Sequence, residues 1–589
     1  MKTKTKEKAQ RLEYFKSLYE SALLQMGPSL EALDKNMRQY RGTRELDGTN
    51  TEALTVRNVT YEIIESQISS EIPAPKADAA SYSERRERNA TAIERLCRSV
   101  RDRLPFEELN DIDERYTYIY GGSVWYVDWD NTPSHKGELG GVKISCLSPK
   151  DFIPQPGIYK IEDMEYCFLR FTTTKSELER RYGITEEDTD SLECEFGFGG
   201  GSDAVNMTVC FYKDGDGEIG RYVFSGDVPL SDIERYYKRR GAICAHCGLE
   251  AYECECESPS FTEGEIEYER IFTKINAHAP IDSREGGDIS LTPTHTAIPY
   301  YVPRVFPIVI RKNTSGERSL FGQSDCEYIR HEQQAINKLE SRILEKLLRA
   351  GVTPIMPEDA RVTLSNSVFG QVIKMKPGES AQQYGKVDTT PDVSQDILEA
   401  ERLYDHAKRV IGISDAYQGL DTGVGESGVS RQLRISQASG RLESKKKMKH
   451  TAYAEIDKLI FIMHLAFADE PRRLSYKDAY GRLHYEEFNR YNFIERDTLT
   501  GEYYYDDDYL FSVDLNGGSE YQREALWQRN LENLKAGTLG PPESPITLLR
   551  YWQCQERAHY PHARENVEYF KEEIEKEREA LGYEEKVEA

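Results

Sequence analysis

The chain has 589 residues, 38% of them hydrophobic and 30% charged, with a formal net charge of −25. This length suits about two to four domains with sizeable cores, and the 38 Tyr and 20 Phe argue against wholesale disorder. The acid excess disfavours a protein that grips DNA by neutralising its phosphates, and it fits either plain solubility or a surface that surrounds DNA without adhering to it.

The opening MKTKTKEKAQRLEYF is charged and then amphipathic. It lacks the apolar core of a secretory signal, so a reducing cytoplasm is the expected compartment. No run of about 18 apolar residues follows, so no membrane-spanning helix is expected. Leu12, Phe15, Leu18, Tyr19 and Leu23 predict an amphipathic helix over 7–25. Helices are also expected over 56–70, stopped by Pro73 and Pro75, and over 81–103. A further segment, 106–120, leads into Gly121-Gly122, and SVWYVDWDN (123–131) reads as a strand. VKISCLSP and MEYCFLRFT read as two more strands around a proline-bounded loop. Thr174 and Glu177 form a capping-box pattern for a helix through Tyr182, with Gly183 as its stop. Residues 184–300 read as an insertion or elaboration, and PRVFPIVIRKN (303–313) returns to a strand.

A stripe of Ile329, Ile336, Leu339, Ile343 and Leu347 predicts a helix over 324–349. Short strands and turns are expected over 352–389, then a second helix over 392–411 ended by Gly412. Residues 413–428 are loop by composition. From Val429 to about Asp469 only Gly440 disfavours helix, and forty helical residues span about 60 Å. The C-terminal part starts tyrosine- and turn-rich over 471–515 and ends in helices through Ala536, over 546–557 and over 561–580. The expected fold class is therefore multidomain α+β.

Cys244 and Cys247, followed by Cys254 and Cys256, place four of the eleven cysteines within thirteen residues. Two thiolate pairs at this spacing can converge on one structural zinc. Disulfides and unrelated reduced thiols remain the alternatives, the former weakened by a cytoplasmic setting. Gly423-Val-Gly425-Glu-Ser-Gly428 matches a dinucleotide fingerprint in letters only, because a helix rather than a strand precedes it. No phosphate-binding loop, nucleophile elbow or spaced carboxylate set is present, so no enzyme is expected. Arg441, Lys445, Lys446, Lys447 and Lys449 form a dense basic patch in which 441, 445 and 449 share a helical face. That face could meet phosphate or a neighbouring subunit's acids, or simply be solvated.

The ordered set of segments resembles the portal, or head–tail connector, proteins of tailed bacteriophages. The likeness is carried by the helix end at 58–75, by YGGSVWYVDWD followed by LSPKDFIPQPG, and by FPIVIRKN. It continues through FGQSDCEYIRHEQQAINKLESRILEKLL and VIGISDAYQGLDTGVGESGVSRQLRISQASGRLESKKK. The resemblance implies a wing over 1–321, with 190–290 as a cysteine-bearing insertion. It implies stem helices over 322–350 and 391–412 flanking a clip over 351–390. A tunnel loop over 413–428, a long helix over 429–469 and a C-terminal wing and crown region over 470–589 complete the expected subunit. The implied assembly is a ring, typically twelvefold, at one capsid vertex of the virion, built in the host cytoplasm. Double-stranded DNA would be packaged and ejected through it. The implied partners are the terminase large subunit, the major capsid and scaffolding proteins, and a head-completion or tail adaptor protein, with no membrane. Gln418, Gly423, Gly425, Ser427, Lys445 and Lys449 are the candidates for the DNA channel, and Arg361, Lys374 and Lys376 for clip docking. The alternatives are another phage minor capsid or connector protein, or a zinc-ribbon nucleic-acid-processing enzyme.

Overall fold

The computed structural model describes residues 2–43, 55–81, 83–131, 140–184, 192, 204–246, 256, 260–266, 268–271, 296–348, 352–355, 385–388, 391–413, 428–477, 483–497, 500–514, 520–557, 560 and 563–580. It is a mixed α+β structure. Helix α1 (Lys2–Tyr40) runs well past the expected end, straight through Pro28. An interior proline costs about 3 kcal/mol, and burial on both sides offsets it. Phe15, Tyr19 and Ala22 pack on Phe168, Tyr222 and Phe224, while Leu33 packs with Tyr118, Ile119 and Tyr120. Helix α2 is only Val59–Glu65, opened by Asn58, whose side chain accepts from the Tyr61 amide at 3.0 Å. It is followed by β1 (Ala74–Ala79), α3 (Glu84–Arg103) and α4 (Phe106–Tyr120).

Gly121, at φ +87°, turns α4 directly into β2 (Gly122–Asp130). A Cβ there would lie 2.2 Å from the Gly322 carbonyl oxygen, so the turn admits only glycine. Strand β2, buried at eight of nine positions, pairs antiparallel with β3 (Gly141–Leu147). A second sheet begins with β4 (Phe152–Pro154) and β5 (Tyr166–Thr174). The helix after it, α5 (Lys175–Tyr182), has the expected ends: the Glu177 amide donates to Thr174 Oγ1 at 3.3 Å, and Gly183 has φ +65°.

The 190–290 stretch, expected as an insertion, divides. Strands β6 (Ala204–Lys213), β7 (Ile219–Ser225) and β8 (Val228–Ile233) complete the five-stranded sheet β4-β5-β6-β7-β8. They are integral to the body because Val209, Phe211 and Val223 share the main core. Only β9 (Arg239–Cys244) and β10 (Phe261–Ile266) form a separate hairpin, followed by the pair β11 (Tyr268–Ile271) and β12 (Thr296–Pro299). Strand β13 (Ile308–Lys312) then pairs with the free edge of β2, giving the order β13-β2-β3.

The expected first long helix is broken near its start, into α6 (Asp325–Tyr328) and α7 (Arg330–Leu348). Strands β14 (Val352–Ile355) and β15 (Gly385–Asp388) pair antiparallel and close the segment between them. Helix α8 (Ser394–Ile411) ends on Gly412 at φ +93°. Helix α9 (Gly428–Phe467) has the expected forty residues. Its C-terminal half is buried except for a stripe at Thr451, Glu455 and Lys458, and all round from Leu459: Tyr453, Ile456, Ile460, Phe461 and Met463 share the core of Trp125 and Val127. The hairpin β16 (Arg472–Lys477) with β17 (Leu483–Phe488) and the pair β18 (Ile494–Arg496) with β19 (Tyr503–Tyr505) follow. Strand β20 (Tyr509–Asp514) then pairs antiparallel with β1, from Ala74↔Asp514 to Ala79↔Tyr509. That pairing ties the tyrosine-rich region back to the N-terminal part. Helices α10 (Glu520–Lys535), α11 (Pro545–Arg557) and α12 (Ala563–Ala580) close the described chain.

Candidate functional site

Helices α7 and α8 form an antiparallel pair. Glu332 near the start of α7 meets His406 near the end of α8, with Nδ1 3.0 Å from Oε1. Lys346 at the other end of α7 pairs with Asp396 at the start of α8. The shared face is apolar: Ile336, Tyr404, Ala407 and Ile411 pack with Val59, Ile63 and Ile329. Arg57 clasps both helices, 2.8 Å from Glu401 and 3.6 Å from Glu340, and stacks over the Tyr404 ring. At the end nearest β14 and β15 the pair exposes Leu347, Leu348, Ile397 and Leu398. Nineteen residues of α7 make a rod about 28 Å long.

The foot of this pair is pinned by a buried ionic cluster. Arg311 on β13 pairs with Asp113 and, at 2.8 Å, with Glu114, both on α4. Lys449 on α9 reaches Glu114 at 3.0 Å and donates to the Glu71 carbonyl at 2.6 Å. Lys445, one turn earlier, lies 2.7 Å from Asp325 on α6 and donates to Gln67 Oε1 at 3.0 Å. Gln67 and Asn313 each donate to Asp325, at 2.9 and 2.8 Å. The Trp125 indole donates to Asp113 at 2.9 Å. Three carboxylates thus face three cations in a water-poor setting, with neutral donors added at all three carboxylates and neutral acceptors at both lysines, which is the condition for burying charge at all. Of these six charged groups only Arg311 leaves a polar atom, its Nε, without a partner among the described residues. Burial alone would raise the Glu114 pKa, but Arg311 and then Lys449 outweigh it and hold the carboxyl below its usual value. A second buried pair, Arg101 with Asp457 at 2.6 Å, fixes α3 to α9.

This corrects the expected placement of Lys445 and Lys449. Both are buried, at 7% and 4% exposure, and their charges are matched inside the subunit, so neither is presented to a channel. The four-residue spacing marks the inner face of α9; the exposed lysines are Lys446 and Lys447, between them. The Arg441 side chain and the remaining channel candidates, Gln418, Gly423, Gly425 and Ser427, lie outside the described residues, as do the docking candidates Arg361, Lys374 and Lys376. The partners of Lys445 and Lys449 left no local signal, since Asp113, Glu114, Arg311 and Asp325 come from three separated stretches. The one hint was α4 itself, where Asn110, Asp113, Glu114 and Thr117 recur at helical spacing on its buried face.

The cysteine cluster is mounted on the β9–β10 hairpin. Cys244 ends β9 opposite Phe261 and is buried. The Ala245 amide donates to the Ser260 carbonyl at 2.8 Å, so the two ends of 245–260 meet. Cys256 is half-buried, while Cys247 and Cys254 lie outside the described residues. Among the described residues no group of three or more His, Cys, Asp or Glu is placed to hold a metal ion. Nor is any helix among them long and apolar enough to cross a membrane. No protein-family model matches the chain, and no curated protein matches it either.

Proposed function

We propose that the chain is the repeating subunit of a closed ring that conducts double-stranded DNA, a non-enzymatic portal of a tailed-phage head. The observation that carries this reading is the order and pairing of three elements. Helices α7 and α8 stand antiparallel around a separately closed segment, and the forty-residue α9 follows after a glycine-rich connection. In this reading 322–350 and 391–412 are the stem, and 351–390 is the clip that docks the terminase and then the tail adaptor. Residues 413–428 form the tunnel loop, and 470–589 belong to the C-terminal wing and crown. The exposed leucines and isoleucine at the clip end of the stem give neighbouring copies an apolar surface to share. The acidic net charge keeps a sliding polyanion from adhering. Mass photometry of the purified chain tests the assembly: a discrete species of many subunits is expected, and a single-chain mass at every concentration and salt contradicts it.

The hairpin-borne cysteines extend the proposal to a structural zinc held by Cys244, Cys247, Cys254 and Cys256. The buried Cys244 at the end of β9 and the joined ends of its loop support that set. A four-thiolate ion staples a loop and leaves no position open for chemistry.

A further inference from the structure

A cleft of about 250 Å³ lies between the C-terminal part of α1 and the first two turns of α7. Lys35, Arg38, Arg330 and Lys338 line it, and among the described residues no Asp or Glu does. In a chain carrying −25 overall such a wall needs a reason. Its floor is built from amides, and they are the acceptors that the Arg330 guanidinium meets among the described residues. The Arg330 guanidinium donates to Gln39 Oε1 at 3.4 Å and to Asn36 Oδ1, two neutral acceptors. Gln39 is itself fixed by donating to Thr60 Oγ1 at 3.0 Å and to the Cys326 carbonyl at 2.9 Å. Gln333 donates to Asn337 Oδ1 at 2.9 Å and accepts from the Thr60 amide, also at 2.9 Å. Glu327 joins this network only through the Asn36 amide, 3.2 Å away. Among the described residues no carboxylate lies within ion-pair distance of Lys35, Arg330 or Lys338.

We propose that this cleft between α1 and α7 binds phosphate groups. A planar guanidinium held rigidly from behind presents its remaining N–H groups as a fork. The flexible ammonium groups of Lys35 and Lys338 close on the same anion from either side, and the volume takes two or three linked phosphates. Carboxylate lining would cancel that field, and among the described residues the walls carry none. The site does not depend on the chain forming a ring.

The test is calorimetric titration of the full-length protein with inorganic pyrophosphate at low ionic strength. One site per chain is expected, weakened at least tenfold in Lys35→Ala/Lys338→Ala. Both lysines are exposed, so this variant keeps the fold, and its unchanged melting point is the check. The control Lys446→Ala/Lys447→Ala retains full affinity. Displacement of pyrophosphate by a short DNA duplex assigns the site to a nucleic-acid backbone; displacement by ATP but not by duplex assigns it to a free nucleotide. No binding of pyrophosphate, equal affinity in the double variant, or equally good displacement by a glutamate-rich peptide overturns the proposal.

Discussion

The buried charges of α9 concentrate the energetics of this molecule in a few side chains. Asp325 is held by Lys445, Gln67 and Asn313. Lys445→Met leaves that carboxylate buried without its cation and is expected to cost about 3–5 kcal/mol. The Lys445→Met/Asp325→Asn pair is expected to cost less than Lys445→Met alone, because an amide there still meets Gln67 and Asn313. Urea unfolding of these two variants and of Asp325→Asn alone checks this, and additive costs would contradict it. Deeper along α9, His464 and Asp457 titrate in opposite senses. Burial pushes His464 down to about 4, so its contribution to stability is complete above its unfolded value near 6.5 and is lost as pH falls through 4. Burial pushes Asp457 up to about 6, with Arg101 opposing. Its contribution is complete below about 4 and is lost as pH rises through 6. The two offset each other in the same window. His464→Gln is therefore expected to gain about 3 kcal/mol on wild type between pH 7 and pH 4, read as a difference in unfolding free energy; a pH-independent difference would contradict it. None of this was legible in the sequence. The basic residues of 441–449 were visible as a stripe, but a stripe facing solvent and a stripe facing buried acids have the same spacing. Which one it is depends on α4, β13 and α6, residues more than a hundred positions away.

Among the elements, those with local determinants were read closely. The capped α5, the Gly412 stop of α8 and the span of α9 all follow from side chains within a turn of the boundary. Elements governed by distant contacts were not. Helix α1 continues past Pro28 only because both halves find cores, and β6–β8 belong to the body only because β5 offers an edge. The α7–α8 pair depends on a narrow apolar seam, so Ile336→Ala, at a fully buried position, is expected to cost about 2–5 kcal/mol. Thermal or urea denaturation checks it, and a loss under about 0.5 kcal/mol, the range of surface substitutions, would show the seam to be unimportant. The β9–β10 hairpin carries its own prediction. Elemental analysis is expected to find about one zinc per chain, falling sharply in Cys244→Ser/Cys247→Ser. Equal metal content in the two proteins would remove the assignment.

For the whole molecule, the account rests on one physical arrangement. The buried cluster at Asp113, Glu114, Arg311, Asp325, Lys445 and Lys449 joins the sheet body, the foot of the helix pair and the long helix. The segment that leads into the pair, α6, is thereby tied to the core. That anchoring suits the proposed ring subunit, in which the exposed Leu347, Leu348, Ile397 and Leu398 would face neighbouring copies. The sequence order resembles that of such a subunit, while the channel candidates Gln418, Gly423, Gly425 and Ser427 lie outside the described residues. The most direct measurement is electron microscopy of the purified protein viewed down the particle axis. The account predicts a rotationally symmetric ring with a central opening wide enough for duplex DNA; isolated particles of single-chain size, or closed assemblies with no axial opening, would contradict it.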